Sequence, residues 1–284
     1  MWSWDMQALR GAVDVVVHCA GEVLFASSSE CRSLRVNTDG VNNLAGLASS
    51  LACGRLVQIS TAYVDKGLRG MPARSEYETT KLAGEHILAR AAREQELDAC
   101  IVRPSVVTGD RIHGFAPTFN GIYPFFRYAV KHWKSLRHVP RDQWLPGDVY
   151  SEGSVNLLPA DYVATVILAV LEGERRYREI NVVNPVSWKI CDLCAIVSDY
   201  LSANSGAVAE PRRSHSGAMN AGWRRTARML TDTYGPYLNT NLDLHPGELD
   251  ELVASHGIAP VENSPDWIHA LLRWSIARDW KGIG

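Results

Sequence analysis

A chain of 284 residues has room for one large α/β domain, or for such a domain with a smaller appendage. With 46% hydrophobic and 21% charged residues and a formal net charge of −2, the composition is that of a globular protein and gives no sign of a polyanionic partner such as nucleic acid. The six cysteines are scattered, which argues against a disulfide framework and for a reducing, cytoplasmic setting. The opening "MWSWDMQALR" lacks the apolar run of a signal peptide.

The first predicted element is the apolar run "VDVVVHC", a buried strand over Val13 to Cys19 that ends in the small residues Ala20 and Gly21. In "NTDGVNNLAGLASSLACG" the residues Val41, Leu44, Ala45 and Leu51 recur at helical spacing, and Gly54 supplies a stop. "RLVQIST" reads as a short strand tipped by the hydroxyls of Ser60 and Thr61. The loop "AYVDKGLRGMPARSE" is rich in glycine and charge, and a long helix is predicted from about Tyr77 to Glu94. "LDACIVRPSVVTGD" follows as a strand with Pro104 near its end. The order strand, helix, strand, helix, strand implies a parallel sheet with helices on its faces.

Beyond it, the aromatic segment "FAPTFNGIYPFFRYAV" is equally compatible with core packing and with a cover over a cleft. "VNLLPADYVATVILAVLEG" reads as a loop and then a helix. Its run Val163 to Leu171 is too short to cross a bilayer and is expected to be buried. "EINVVNP" is a further strand, and from about Trp188 the chain is mostly helical. Cys191 and Cys194 form one CxxC in a helical pattern, "WKICDLCAIVSDYL", where two core-facing thiols are a better reading than zinc or redox chemistry.

Tyr77 and Lys81 stand four apart on the predicted helix and so share a face. A phenol ordinarily titrates near 10, and a nearby ammonium stabilises the phenolate. Such a pair suits carbonyl reduction, in which an alkoxide develops as hydride arrives. Thr61, at the end of the neighbouring strand, is placed to hydrogen-bond the carbonyl oxygen. As a motif YxxxK is weak alone, and its context carries it. His18 and His86 read as structural, and the acidic pairs Glu172/Glu174 and Asp250/Glu251 as solvated. No HExxH, Cys/His set or GxSxG is present, so neither a metal site nor serine acyl transfer is expected.

Together "VDVVVHCAG", "VNTDGVNNL", "LVQISTAYV", "YETTKLAGE" and "IVRPSVVTG" resemble the extended short-chain dehydrogenase/reductase family. "STAYV" and "NLLPADYVA" are similar to its branch of thioester reductases and fatty acyl-CoA reductases, the male sterility branch. The resemblance implies an α/β fold: a partial Rossmann-type, doubly wound parallel sheet over residues 1–185, with a substrate-side insertion around 111–154, and a mostly helical substrate-side region over 186–284. It implies that Tyr77 donates the proton, that Lys81 binds the nicotinamide ribose and lowers the tyrosine pKa, and that Thr61 fills the catalytic Ser/Thr position. Ala20, Gly21 and the backbone of Pro104, Ser105 and Val106 would line the cofactor, NADP or alternatively NAD. Asn37 matches the family's helix asparagine and is read as a cap. Asp161 of "PADYVA" is read as structural.

The resemblance also has a gap. The family's glycine-rich turn, which lets backbone approach the pyrophosphate at a helix N-terminus, is not found before Val13. The strand "VDVVVHC" would then be an apolar edge of the sheet, an aggregation hazard. Three explanations stand: Met1 is a misplaced start or an internal methionine, a second chain completes the sheet, or the chain is a non-catalytic remnant. The expected activity is reduction of a small-molecule or carrier-bound acyl thioester to an aldehyde or alcohol. The alternatives are a nucleotide-sugar epimerase or dehydratase, a hydroxysteroid-type dehydrogenase, and the remnant.

Overall fold

The structure is a computed structural model, and it describes residues 6–23, 32–64, 75–173, 175–204, 219–238, 244 and 246–282. The chain forms two compact units that alternate along it. The first comprises residues 1–105, 166–183 and 243–258, and the second residues 106–165, 184–242 and 259–284. Each draws on three segments of the chain.

The first unit is built on a parallel sheet of four strands in the order β1 (Val15–His18), β2 (Arg55–Ile59), β3 (Asp98–Pro104) and β7 (Glu179–Val182). Its register pairs Val16 with Leu56 and Val57 with Cys100. Helix α1 (Met6–Leu9) precedes β1. Between β1 and β2 lie α2 (Arg32–Leu34), a π-helical turn (Arg35–Asp39) and α3 (Gly40–Ser50). Between β2 and β3 lies α4 (Glu76–Glu94). This is the α/β parallel sheet expected from the alternating pattern.

The core is the apolar stripe of the two helices against the sheet: Val41, Ala48, Leu51 and Leu88 pack with Leu56 and Ile101. Leu56 and Leu88 are fully buried, each contributing about 1.5–3 kcal/mol relative to exposure. Helix α3 stops at Ser50, earlier than a Gly54 stop requires, because Ala52 itself turns the chain with φ 52°. Among the described residues β1 pairs only with β2, and Val17 on it is 38% exposed, so the edge expected for this strand is present.

Helix α4 starts at Glu76 because Ser75 caps it, its side chain accepting the Glu78 N–H. Glu76 and Glu78 in the first turn and Arg93 in the last complement the helix dipole. Residues 65–74 of the charged loop before it, and Cys31, lie outside the described residues.

The single strand expected over "LDACIVRPSVVTGD" is two. β3 ends at Pro104, whose ring nitrogen has no hydrogen to donate, and Ser105 donates to Val182 O. At Val106 the chain enters the second unit, where β4 (Val106–Thr108) pairs in parallel with β6 (Leu157–Pro159). Part of the stretch before "ADYVA", expected to be a loop, is therefore strand: β5 (Ser154–Val155), paired with β8 (Trp188–Lys189), and then β6.

The other helices are α5 (Tyr123–Leu136), α6 (Gly147–Glu152), α7 (Ala160–Glu172), α8 (Ile190–Ala203), α9 (Met219–Leu238), α10 (Leu249–Ser255) and α11 (Pro265–Ala277). Only α10 lies wholly in the first unit, and α7 passes from the second into the first. Helix α7 is amphipathic and not buried all round: Val166 and Val170 are buried while Leu168 is 54% exposed. No described helix is long and apolar enough to cross a membrane.

In the second unit a rigid turn follows β4. The Asp110 carboxylate accepts the N–H groups of Ile112, His113 and Phe115, which overcome the effect of burial and hold its pKa below the ordinary value. Gly114 has φ +73°, and a Cβ there would fall 2.1 Å from Ala270 O, so only glycine fits. Arg111 bonds Asp161 through its backbone N–H and Nε, consistent with a structural Asp161.

Candidate active site

Three pieces of the first unit meet where β1 and β2 end. Strand β2 delivers Ser60 and Thr61, both buried. Helix α4 places Tyr77 in its first turn and Lys81 one turn on. The turn Cys19–Glu22 follows β1. A hydrogen bond joins the side chains of Thr61 and Tyr77, and Thr61 Oγ1 also accepts the Tyr63 N–H at 3.4 Å. Lys81 Nζ donates to Ile59 O at 2.8 Å, which anchors the ammonium to the strand that carries Thr61. A Cβ on Gly21 would come within 3.1 Å of Lys81 Nζ and 3.4 Å of Asn37 Oδ1, so the bare backbone of this turn lies against the lysine.

Asn37 is not a helix cap. It is buried within the π-helical turn, and its side chain clamps the turn after β1 at both polar groups of one residue. Oδ1 accepts the Glu22 N–H at 3.0 Å, and Nδ2 donates to Glu22 O and to Thr80 Oγ1, each at 3.0 Å. Thr80 in turn donates to Tyr77 O. The π-turn thereby ties the β1 turn to the first turn of α4. The two helices approach closely only because residue 84 is glycine: a Cβ there would lie 2.5 Å from Asn37 O. "KLAGE" carried that signal, a glycine inside a helical pattern, and the role of Asn37 had no local signal at all.

Burial dominates the electrostatics. It pushes the Tyr77 phenol up to about 12, with the Thr61 hydrogen bond opposing and the Glu78 carboxylate reinforcing. The net shift is therefore upward in this structure. Lys81 itself is held below its ordinary value by burial, against the opposing pull of Glu85 and Cys19. His18 is lowered by burial and by the Lys81 charge.

One turn after Lys81, Glu85 enters a buried ion cluster. Arg103 of β3 grips it with two bonds, Nε to Oε1 at 2.9 Å and Nη2 to Oε2 at 2.8 Å, and also reaches Glu179 of β7 at 2.9 Å. Burial works against the Arg103 cation, but the bonds and charges of Glu85 and Glu179 outweigh it. A charged residue inside "CIVRP" was the sequence signal for such a partner.

Of the other residues singled out from sequence, Ala20 and Gly21 lie exposed in the β1 turn, while Pro104 and Ser105 close β3 and are buried. Val106 belongs to the second unit and donates its N–H to Asn156 O. His86 is exposed, and Glu251 is paired with Arg175. Among the described residues no cluster could hold a metal ion.

The model of the NAD-binding family described as Male sterility protein matches residues 3–74 and 67–167. The chain belongs to that family. Its members are NAD(P)-dependent oxidoreductases of the extended short-chain dehydrogenase/reductase type, and the chain is similar to the L-2-aminoadipate reductase large subunit of Eremothecium gossypii, at 28% identity over 200 residues. That match covers 62% of this chain and 13% of the relative, so the chain spans about an eighth of the relative's length.

Solved structures share the fold of this male sterility family chain. The terminal R domain from the myxalamid PKS-NRPS pathway superposes with a TM-score of 0.68 at 16% identity, over 99% of this chain and 72% of that one. A thiolation-reductase di-domain from an archaeal non-ribosomal peptide synthetase gives 0.66 at 15%, over 97% and 72%. The Bordetella bronchiseptica enzyme WbmG in complex with NAD gives 0.59 at 19%, over 99% and 79%.

The residues present fit a cofactor that offers hydroxyl groups: Lys81 spends one hydrogen on Ile59 O and keeps others to donate, and the turn facing it presents Gly21 without a side chain.

Proposed function

We propose that this member of the male sterility family reduces acyl thioesters, CoA-linked or carrier-bound, to aldehydes through Thr61, Tyr77 and Lys81. The observation that carries the reading is the hydrogen bond between the Thr61 and Tyr77 hydroxyls, held beside an anchored Lys81 at the ends of β1 and β2. The R domain and thiolation-reductase neighbours support the thioester class, and the aminoadipate reductase relative supports reduction.

When bound, NADPH, or NADH in its place, supplies the hydride to the thioester carbonyl carbon. Lys81 would hold the ribose through its remaining N–H donors. Ala20, Gly21 and the backbone of Pro104 and Ser105 would line the cofactor. Thr61 hydrogen-bonds the carbonyl oxygen and orients it toward Tyr77. As charge grows on that oxygen, the Tyr77 phenol gives it a proton, and positioned proton transfer of this kind is worth about 10²–10⁴-fold. The resulting hemithioacetal loses the thiol and leaves the aldehyde. A phenol raised by burial to about 12 stays protonated at neutral pH, the form in which it can donate.

The test is NADPH consumption and aldehyde formation by the full chain with decanoyl-CoA, set against Tyr77→Phe. The variant should be slower by about 10²–10⁴-fold. Equal rates would overturn the assignment. Turnover of a UDP-sugar in place of the thioester would favour the epimerase class, and failure to bind NADPH would favour a non-catalytic remnant.

A further inference from the structure

Lys81 sits where a cation is hard to keep. It is 7% exposed, and burial holds its pKa below the ordinary value. An ammonium carries three hydrogens and a neutral amine two. One of them goes to Ile59 O, so loss of the charge would halve the donors left for a ligand.

The titratable groups that face Lys81 come from two elements. From β1 and its turn come His18 and Cys19. His18 is lowered by burial and by the Lys81 charge, and the Cys19 thiol is raised by burial against the pull of Lys81, so both are neutral at neutral pH. Strand β2 contributes Ile59 O, a neutral acceptor. Tyr77, one turn back on α4, stays protonated up to about 12. One turn on along the same face of α4 is Glu85, buried like Lys81, and its carboxylate opposes the effect of burial on the lysine.

Glu85 is fixed in place. Arg103 of β3 holds both of its oxygens, at 2.9 and 2.8 Å, and the same guanidinium reaches Glu179 of β7 at 2.9 Å. Two carboxylates and one guanidinium give these three side chains one more negative charge than positive. Salt screens buried charges of this kind much less than exposed ones.

We propose that Glu85 is a positioning residue for the cofactor: locked by Arg103, its carboxylate keeps Lys81 an ammonium and so sets the upper pH limit at which Lys81 can hold NADPH. The proposal rests on the thioester reading for the identity of the cofactor, and it adds a residue that acts through Lys81. A neighbouring carboxylate favours the charged lysine, so its removal lets the proton leave at lower pH.

The test uses the full chain with lysine labelled by carbon-13 at Cε, whose chemical shift follows protonation of the amine. The Lys81 signal is the one missing from Lys81→Arg. Its titration midpoint is read in the parent, in Glu85→Gln and in Glu85→Asp, alongside the pH dependence of NADPH binding by fluorescence. Glu85→Gln should lower the midpoint by about one pH unit or more, and the pH at which NADPH affinity has fallen tenfold should move down with it. Glu85→Asp keeps the charge and should restore most of the parent midpoint, a rescue that a purely structural role does not give. Should Glu85→Gln fail to fold by circular dichroism, the double variant Glu85→Leu/Arg103→Leu removes the carboxylate together with the guanidinium it would leave unpaired, a replacement that is often neutral in stability. A fall of the same sign is expected there, smaller because a positive charge leaves too. An unchanged midpoint in the folded variant, or a midpoint that falls while the limit of NADPH binding stays in place, overturns the proposal. If midpoint and binding limit fall together while the parent reduces no thioester, the thioester reading fails and the role of Glu85 stands.

Discussion

Among the described residues the two units differ in the charge they bury. In the first, ionic and hydroxyl groups are buried and bound to one another: Arg103 with Glu85 and Glu179, Asn37 with Glu22 and Thr80, and Thr61 with Tyr77. In the second, the buried polar groups are neutral, such as Asn156 bonded to Asn184, and the ion pair of Arg111 with Asp161 stays 40% and 37% exposed. Fixing a proton donor needs directional bonds that admit one geometry, and the buried bonds of the first unit supply them.

Substitutions can break or sharpen that contrast. The largest effect is expected at Glu85. Glu85→Gln removes one carboxylate from a buried guanidinium, and the loss should be about 3–5 kcal/mol in denaturant unfolding. Gly84→Ala comes next, since the new Cβ meets the backbone carbonyl of Asn37, which cannot swing aside. A cost of about 1–3 kcal/mol is expected from overpacking of this kind. Asn37→Ala removes both of its bonds to the Glu22 backbone, and about 1–3 kcal/mol should be lost. The loss should also appear as a raised KM for NADPH, because the β1 turn is released. The smallest effect is expected in the second unit: Asp161→Asn breaks an exposed pair and should change stability by no more than about 1 kcal/mol. A cost at Asp161 as large as that at Glu85 would erase the distinction.

Local patterns made much of this legible. Alternating strand and helix periods gave the parallel sheet, and a four-residue spacing placed Tyr77 and Lys81 on one face of α4. Long-range pairings were not legible. Nothing near Asn37 shows that its side chain closes on Glu22, fifteen residues back, and the cap reading failed because the π-turn buries it. The split of "LDACIVRPSVVTGD" at Ser105 depends on Val182 and Asn156, 77 and 50 residues away from the groups they bond. The rise of the tyrosine pKa was missed for the same reason. Spacing shows that an ammonium is near, and only packing shows that dehydration of the phenol outweighs it.

The central claim is that a buried, protonated Tyr77 delivers the proton, and the pH dependence of thioester reduction tests it most directly. The donor is lost as pH rises through its pKa, which burial sets at about 12. Reduction by the parent chain should therefore show no tyrosine-dependent decline between neutrality and roughly pH 10, the ordinary phenol value, with Tyr77→Phe uniformly slower. A decline near neutral pH that disappears in Tyr77→Phe would mean that Lys81 does bring the phenol down, and would contradict this account.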